Sequence, residues 1–214
     1  MQTNHEVLQL FPIPVYTTTI PEKHSQVVPW FYEQEMLTDE VDSLNYGERS
    51  KNSYILNEPE CKDLNKFILN EVLTFGKDYL GHDYDEYRFS QSWVSYKFPN
   101  QHHAQHTHPN SLISGVFYFG EFADDTPSLK FHKVLGAFNE SRLTPKEILD
   151  KRNHPFAWSE FNIKASPGLL VLFPSYLAHS VPMNKSEKVR CSLAFNIVPK
   201  VGLGDERSLT ELLF

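Results

Sequence analysis

Cysteine is scarce: the 214 residues hold two, Cys61 and Cys191. Two distant thiols cannot build the multi-bridge framework of a small secreted domain, so both are read as free. No apolar leader-like stretch stands near the N-terminus, and the compartment expected from this is the cytoplasm. Long apolar runs are also missing; none approaches the roughly 18–20 residues that cross a bilayer, so no membrane partner is expected. Clusters of Lys and Arg are absent as well. With 20 Lys and Arg against 27 Asp and Glu, the net charge is −7, which argues against a nucleic-acid partner held through its phosphates.

Aromatic residues and turn formers are plentiful instead: 16 Phe, 10 Tyr and 14 Pro, a balance that favours strands and turns. The opening "VLQLFPIPVYTTTI" suits an edge strand, because its prolines cannot donate to a ladder. "VVPWFYEQEML" (27–37) reads as a short helix starting near Pro29. Between Glu60 and Leu80 an apolar stripe of Leu64, Phe67, Ile68, Val72, Phe75 and Tyr79 predicts an amphipathic helix, stopped at Gly81. From Glu86 the period changes to two. "EYRFSQSWVSYKF" separates Tyr87/Phe89/Gln91/Trp93 from Val94/Tyr96/Phe98, and "SLISGVFYFG", "SLKFH", "FNIKA", "LLVLF" and "VRCSLAFNIV" continue as strands. The class expected is α+β, mainly β, with the strands in a sandwich or barrel. One domain over 1–214 is expected: supporting elements in 1–85, a strand core in 86–198 and a tail in 199–214. An insert at 133–160 carries a short helix capped by Thr144 and Pro145.

The stretch "HHAQHTHPN" (102–110) holds four of the ten histidines. In extended chain His106 and His108 project to one face and could bite one metal ion. A polar turn rich in imidazole is the plain alternative, since an H-x-H pair alone is weak. A third ligand is available in His179, which follows the apolar "LLVLFPSYLAH"; that residue could equally be a buried histidine satisfied by a carbonyl. Arg190 and Ser192 share one face of the next strand with Ala194 and Asn196. A guanidinium on an apolar strand needs a partner, either a protein carboxylate or a bound carboxylate ligand beside the Ser192 hydroxyl.

These motifs together resemble the Fe(II)- and 2-oxoglutarate-dependent oxygenases, in a branch found in bacteria and phages. The resemblance rests on "LFPIPVY", "QSWVSY", H-x-H-P-x-S-x-x-S-G-V-x-Y, "LLVLFPSYLAH" and R-x-S-x-x-F-N, and spans about Leu10 to Val198. It implies a double-stranded β-helix, a cupin-like jelly-roll with helices on one side. His106 and His179 would be metal ligands, with His108 where the family usually has a carboxylate. That departure leaves open whether a carboxylate such as Glu121 completes the triad. Arg190 and Ser192 would hold the distal carboxylate of 2-oxoglutarate, with Tyr96 and Tyr118 as further contacts. His102 and His103 would lie behind the ligands or face solvent.

The activity implied is a hydroxylase using Fe(II), 2-oxoglutarate and O₂, oxidising a substrate C–H bond while 2-oxoglutarate becomes succinate. A three-His dioxygenase without 2-oxoglutarate and a non-enzymatic jelly-roll binding module are the alternatives; a zinc hydrolase would leave Arg190 and Ser192 without a task. Substrates from prolyl residues of proteins to small metabolites fit equally. The tail leucines Leu209, Leu212 and Leu213, with Phe214, are expected to dock on the chain's own core or to support a homodimer. For a viral member the compartment would be the host cytoplasm.

Overall fold

A computed structural model describes residues 11–37, 47–133 and 158–213. The expected helix after Thr144, within the 133–160 insert, lies outside the described residues. Two antiparallel sheets dominate. The major one has the order β1 (Tyr16–Thr19), β9 (Leu169–Pro174), β6 (Ile113–Phe119), β11 (Arg190–Pro199), β4 (Tyr87–Lys97), β3 (Glu48–Ser50), β2 (Met36–Leu37). The minor one has the order β5 (His103–His106), β10 (His179–Val181), β7 (Leu129–His132), β8 (Glu160–Ile163). The Pro-punctuated first strand is indeed at an edge, paired only with β9.

The helix read from the 60–80 stripe is α2 (Lys62–Thr74), preceded in the chain by α1 (Val28–Phe31). Leu64, Ile68 and Val72 are buried on one face of α2, and Asp63 stands in its first turn, where the helix dipole favours an acid. The stripe fails at its end. A π-helical turn over Phe75–Tyr79 shifts the phase, so Phe75 stays buried while Tyr79 is 59% exposed. Gly76 leaves room there for the Tyr87 hydroxyl, and Gly81 closes the turn at φ +69°. The N-terminal helix is shorter than its sequence suggested, four residues with Pro29 in the first turn, because Met36 and Leu37 pair as β2.

The central strands β6 and β9 are buried on both faces and read as nearly continuous hydrophobic runs, whereas β4 and β11 are apolar on the outer face and largely polar on the inner one. The outer face of the sheet meets α2: Ile113, Phe117 and Phe119 of β6, Leu170 and Leu172 of β9, and Leu193, Phe195 and Ile197 of β11 join Leu64, Ile68 and Val72 in one core. Val116, Tyr118, Val171 and Phe173 point the other way and pack on Leu129 and Phe131 of the minor sheet. The period-two grouping of the 86–98 segment needs one correction. Asn196 pairs with Gln91 but Ile197 pairs with Phe89, so Ser90 is the extra residue of a β-bulge. The bulge splits the expected set: Phe89 joins the helix-side core with Val94 and Tyr96, while Trp93 turns to the inner face.

The tail does not dock on the core through its leucines. Leu203 and Leu212 exchange backbone hydrogen bonds, and Leu209, Leu212 and Leu213 stay exposed. No helix among the described residues is long and apolar enough to cross a membrane.

Gly115 of β6 pairs with Phe195 of β11; a Cβ there would collide with the Phe195 ring and approach Leu172 Cδ2 to 2.8 Å. Gly115→Ala is expected to destabilise the fold by about 1–3 kcal/mol through overpacking, read as a lower denaturant midpoint with unchanged slope.

Candidate metal centre

Three segments meet between the sheets. His106 ends β5, His179 opens β10, and the two face each other across the β5–β10 ladder. The ladder advances from His179 to Val181 while β5 runs from His106 back to His103, so β5 carries one residue more than its partner. This bulge puts the rings of His103 and His106 on one side, stacked with centroids 4.1 Å apart.

His108 lies past the end of β5, not within one extended strand with His106 as the sequence suggested. Pro109 follows, and Asn110 takes a left-handed φ of +57°, a conformation that asparagine tolerates better than most residues. The turn is fixed from below. The His108 N–H donates to the Ser175 carbonyl at 3.0 Å and the Ser175 N–H to the Leu112 carbonyl at 3.0 Å. The Ser175 hydroxyl donates to Ser111 Oγ at 2.8 Å and lies 2.8 Å from Ser114 Oγ. Ser114 in turn donates to Asn196 Oδ1 at 2.9 Å. This buried chain of hydroxyls escaped the sequence reading, apart from Asn196 as part of a polar row, because serines give no periodic signal.

One ring nitrogen from each of His106, His108 and His179 lies within 4.8 Å of the others. The Nδ1–H of His179 donates to the Leu177 carbonyl at 2.9 Å, and that of His106 donates to the Ala104 carbonyl at 2.8 Å. Both rings are thus held in the tautomer that leaves a lone pair on Nε2, the arrangement in which a histidine serves a metal. Nε2 of His108 and Nε2 of His179 are 3.1 Å apart. Two nitrogens at right angles about one ion, each about 2.1 Å from it, would be about 3 Å apart. Burial, with help from the neighbouring His106 ring, holds His108 down to about 4 and His179 down to about 3. Desolvation depresses His106 and His103 as well. The imidazoles are therefore neutral at neutral pH, with lone pairs free of protons.

The cleft they line encloses about 520 Å³, including its open mouth. Its inner wall is β11 and β4, from which Arg190, Ser192 and Ala194 face Lys97, Ser95 and Trp93. Arg190 is 2% exposed. No carboxylate among the described residues pairs with it; its Nε donates to the Pro127 carbonyl at 3.1 Å and its Nη2 to the Tyr118 hydroxyl at 2.8 Å. Of the two carboxylate sources considered for Arg190, the described residues thus offer no protein one. Tyr118 also lines the cleft, as expected. Tyr96 does not: it faces the helix side, and its hydroxyl donates to the Phe31 carbonyl at 3.0 Å. The neighbouring Lys97, which the sequence reading passed over, occupies the inner face instead. Glu121 is likewise excluded from the cluster, being exposed and paired with Lys188 at 2.6 Å. Phe117 and Phe119 belong to the helix-side core, whereas Trp93, Tyr118, Phe173 and Phe195 reach the cleft.

A family model described as "Putative 2OG-Fe(II) oxygenase" matches residues 91–196, the stretch that carries every one of these cleft residues. The chain belongs to the 2OG-Fe(II) oxygenases. It is accordingly an enzyme that uses Fe(II) and 2-oxoglutarate, which sets aside the binding-module and 2-oxoglutarate-free alternatives. No curated protein matches the sequence. Solved structures of several oxygenases share the double-stranded β-helix. An oxidoreductase of the 2OG-Fe(II) oxygenase family from Burkholderia pseudomallei superposes with a TM-score of 0.55 at 12% identity, covering 85% of this chain and 84% of that one. A Pseudomonas putida prolyl-4-hydroxylase gives 0.57 at 13%, covering 86% and 92%. HygX from Streptomyces hygroscopicus, solved with nickel, 2-oxoglutarate and hygromycin B, gives 0.57 at 10%, covering 87% and 83%.

Two substitutions separate the parts of this oxygenase site. Glu121→Ala is expected to leave Fe(II) affinity unchanged in an anaerobic titration, since its carboxylate faces solvent. Ser175→Ala removes a hydroxyl that bridges two others; it should lower stability by about 1–3 kcal/mol and weaken Fe(II) binding roughly 10-fold or more by loosening the His108 turn.

Proposed function

We propose that His106, His108 and His179 hold the Fe(II), that Arg190 and Ser192 hold the distal carboxylate of 2-oxoglutarate, and that the enzyme is a hydroxylase. The observation that carries this reading is the convergence of three neutral imidazoles beside a buried guanidinium that no described carboxylate neutralises. The three rings fit a divalent iron: His106 and His179 are fixed in orientation by carbonyls, and all three are unprotonated and close enough to share one ion. The planar fork of Arg190 fits a carboxylate, while Tyr118 and the Pro127 carbonyl hold the guanidinium in place.

When bound, the iron and its co-substrate supply the oxidising chemistry, in which 2-oxoglutarate becomes succinate and a substrate C–H bond is oxidised. The chain contributes position and environment. Val116, Leu129, Phe173 and Ala194 are among the apolar residues of the lining, which limit water around the reacting groups. Trp93, whose ring centroid is 6.2 Å from that of His108, lies on the half-buried side of the cleft, where a substrate would approach. Among structures that share the fold, one is named a prolyl-4-hydroxylase and another a viral collagen prolyl hydroxylase, which makes prolyl peptides the first substrates to assay.

The test is an anaerobic titration of Fe(II) into metal-free protein followed by 2-oxoglutarate, watching for the weak visible charge-transfer band of the chelate. Wild type should develop it. His179→Ala and His108→Ala should lose iron binding, whereas Arg190→Met should keep iron and lose 2-oxoglutarate affinity by roughly 10- to 100-fold, the worth of a charged hydrogen-bonded contact. Iron binding that survives His108→Ala unchanged would refute the three-histidine assignment. Hydroxylation itself is read as succinate formed together with a substrate heavier by one oxygen.

A further inference from the structure

The minor sheet carries a polar row on its outer face, away from the cleft. Ser180 of β10, His132 of β7 and Glu160 of β8 stand on three neighbouring strands, and none of them lines the cleft. His132 Nε2 lies 2.8 Å from Ser180 Oγ, and His132 Nδ1 lies 3.6 Å from Glu160 Oε1. The other carboxylate oxygen of Glu160 accepts from Lys130 Nζ at 2.8 Å. An acid facing Nδ1 favours the tautomer that carries its proton there, so Nε2 accepts from the Ser180 hydroxyl.

The strand that this row touches is the one that presents His179. β10 has three residues, His179–Val181, and its ladder with β5 is irregular between His179 and Val181. So short a strand, with an uneven partner on one side, depends on its other neighbour for its place. β7 is that neighbour, with Phe131 paired to His179 and Lys130 to Ser180. His132 extends the pairing at both ends. Its backbone N–H donates to the Ala178 carbonyl at 2.9 Å, and its ring takes the Ser180 hydroxyl. One residue thus grips the chain immediately before and immediately after His179.

Because side chains alternate along a strand, the grip lies outside while the His179 ring points inward, its centroid 4.3 Å from that of His106 and 5.0 Å from that of His108. On the inner side, the Leu177 carbonyl holds Nδ1 of His179 and the Phe173 ring packs edge-on against it, with centroids 4.7 Å apart. Those contacts set the tilt of the ring. They do not set how far the backbone of β10 sits along its ladder, and a ligand nitrogen displaced by about 0.5 Å shares an ion poorly with two others.

We propose that His132 is a positioning residue for the metal ligand His179, acting through the hydroxyl of Ser180. The proposal rests on the assignment of His179 as a ligand made above. It is separate from the serine chain beneath His108: that chain sets the turn of one ligand, and His132 sets the strand of another.

The test measures Fe(II) dissociation constants by anaerobic calorimetry, at a temperature where every variant is folded, and the thermal midpoint of each metal-free protein. His132→Ala and Ser180→Ala should each weaken Fe(II) binding roughly 10-fold or more, the usual cost of removing a contact behind a ligand. The double variant should lose no more than the larger single loss, as residues joined in one contact do. His132→Gln, whose amide oxygen can accept the same hydroxyl, should recover most of the affinity. Lys130→Met breaks the ion pair with Glu160 and leaves the His132–Ser180 contact in place, so it should bind iron as wild type does. A lower midpoint with unchanged iron affinity in His132→Ala and Ser180→Ala would overturn the proposal and make the row ordinary support for the sheet. An equal loss of affinity in Lys130→Met would overturn it too, since any damage to this face would then suffice. Should His132→Ala fail to fold, Ser180→Ala, which removes a single hydroxyl, decides alone. If His179→Ala loses iron while the other variants keep it, only the positioning role falls; if His179→Ala binds iron normally, the ligand assignment fails and the proposal with it.

Discussion

The register of three strands decides the chemistry of this protein. β11 lies between β4 and β6, and the pairings of Arg190 with Lys97 and of Ser192 with Tyr118 set which side chains face the helix and which face the cleft. Because side chains alternate, a slip of one residue would exchange Arg190 for Cys191 and Lys97 for Tyr96. Both faces are committed. The outer one buries Leu193, Phe195 and Ile197 against Leu64, Ile68 and Val72 of α2, and each such side chain contributes about 1.5–3 kcal/mol. That apolar face therefore holds polar groups on the inner face at positions they would not otherwise occupy.

Much of this was legible in the chain. The inner face of β11 followed from simple alternation, and the grouping of His106, His108 and His179 followed from a short spacing and a distant histidine after an apolar strand. What was missed has a common cause. Strand pairing cannot be read from one strand alone: the bulge at Ser90 is defined only against Ile197 and Asn196, and that at β5 only against β10. Tyr96 was favoured over Lys97 by one position because an aromatic carries a motif and a lone lysine carries none. Glu121 looked available because sequence distance to the histidines is short, but it lies past the end of β6 with its side chain turned toward Lys188 and solvent. The serine chain from Ser111 to Asn196 links β6 and β11 to the turn after β9, and no local pattern announces it.

Desolvation gives the site its charge state. Burial keeps the histidines from protonating, and it lowers Lys97 to about 7 with the repulsion of Arg190 adding to the effect. A divalent cation and a carboxylate bound as proposed would meet the lone pairs of the histidines and the guanidinium of Arg190 together. The apolar faces hold these groups in position before anything binds, a form of preorganisation.

The opposition of His106 and His179 across one short ladder has a consequence for the lifetime of the protein. β5 and β10 pair through few residues, and the chain between these histidines includes β6, β7, β8 and β9. An ion held as proposed is a removable crosslink that closes this long loop, and the entropy of reopening it opposes unfolding. Stability and metal affinity become one linked quantity. Iron supply would then be felt as turnover: iron-starved copies unfold more often and reach proteases sooner, so abundance falls along with activity.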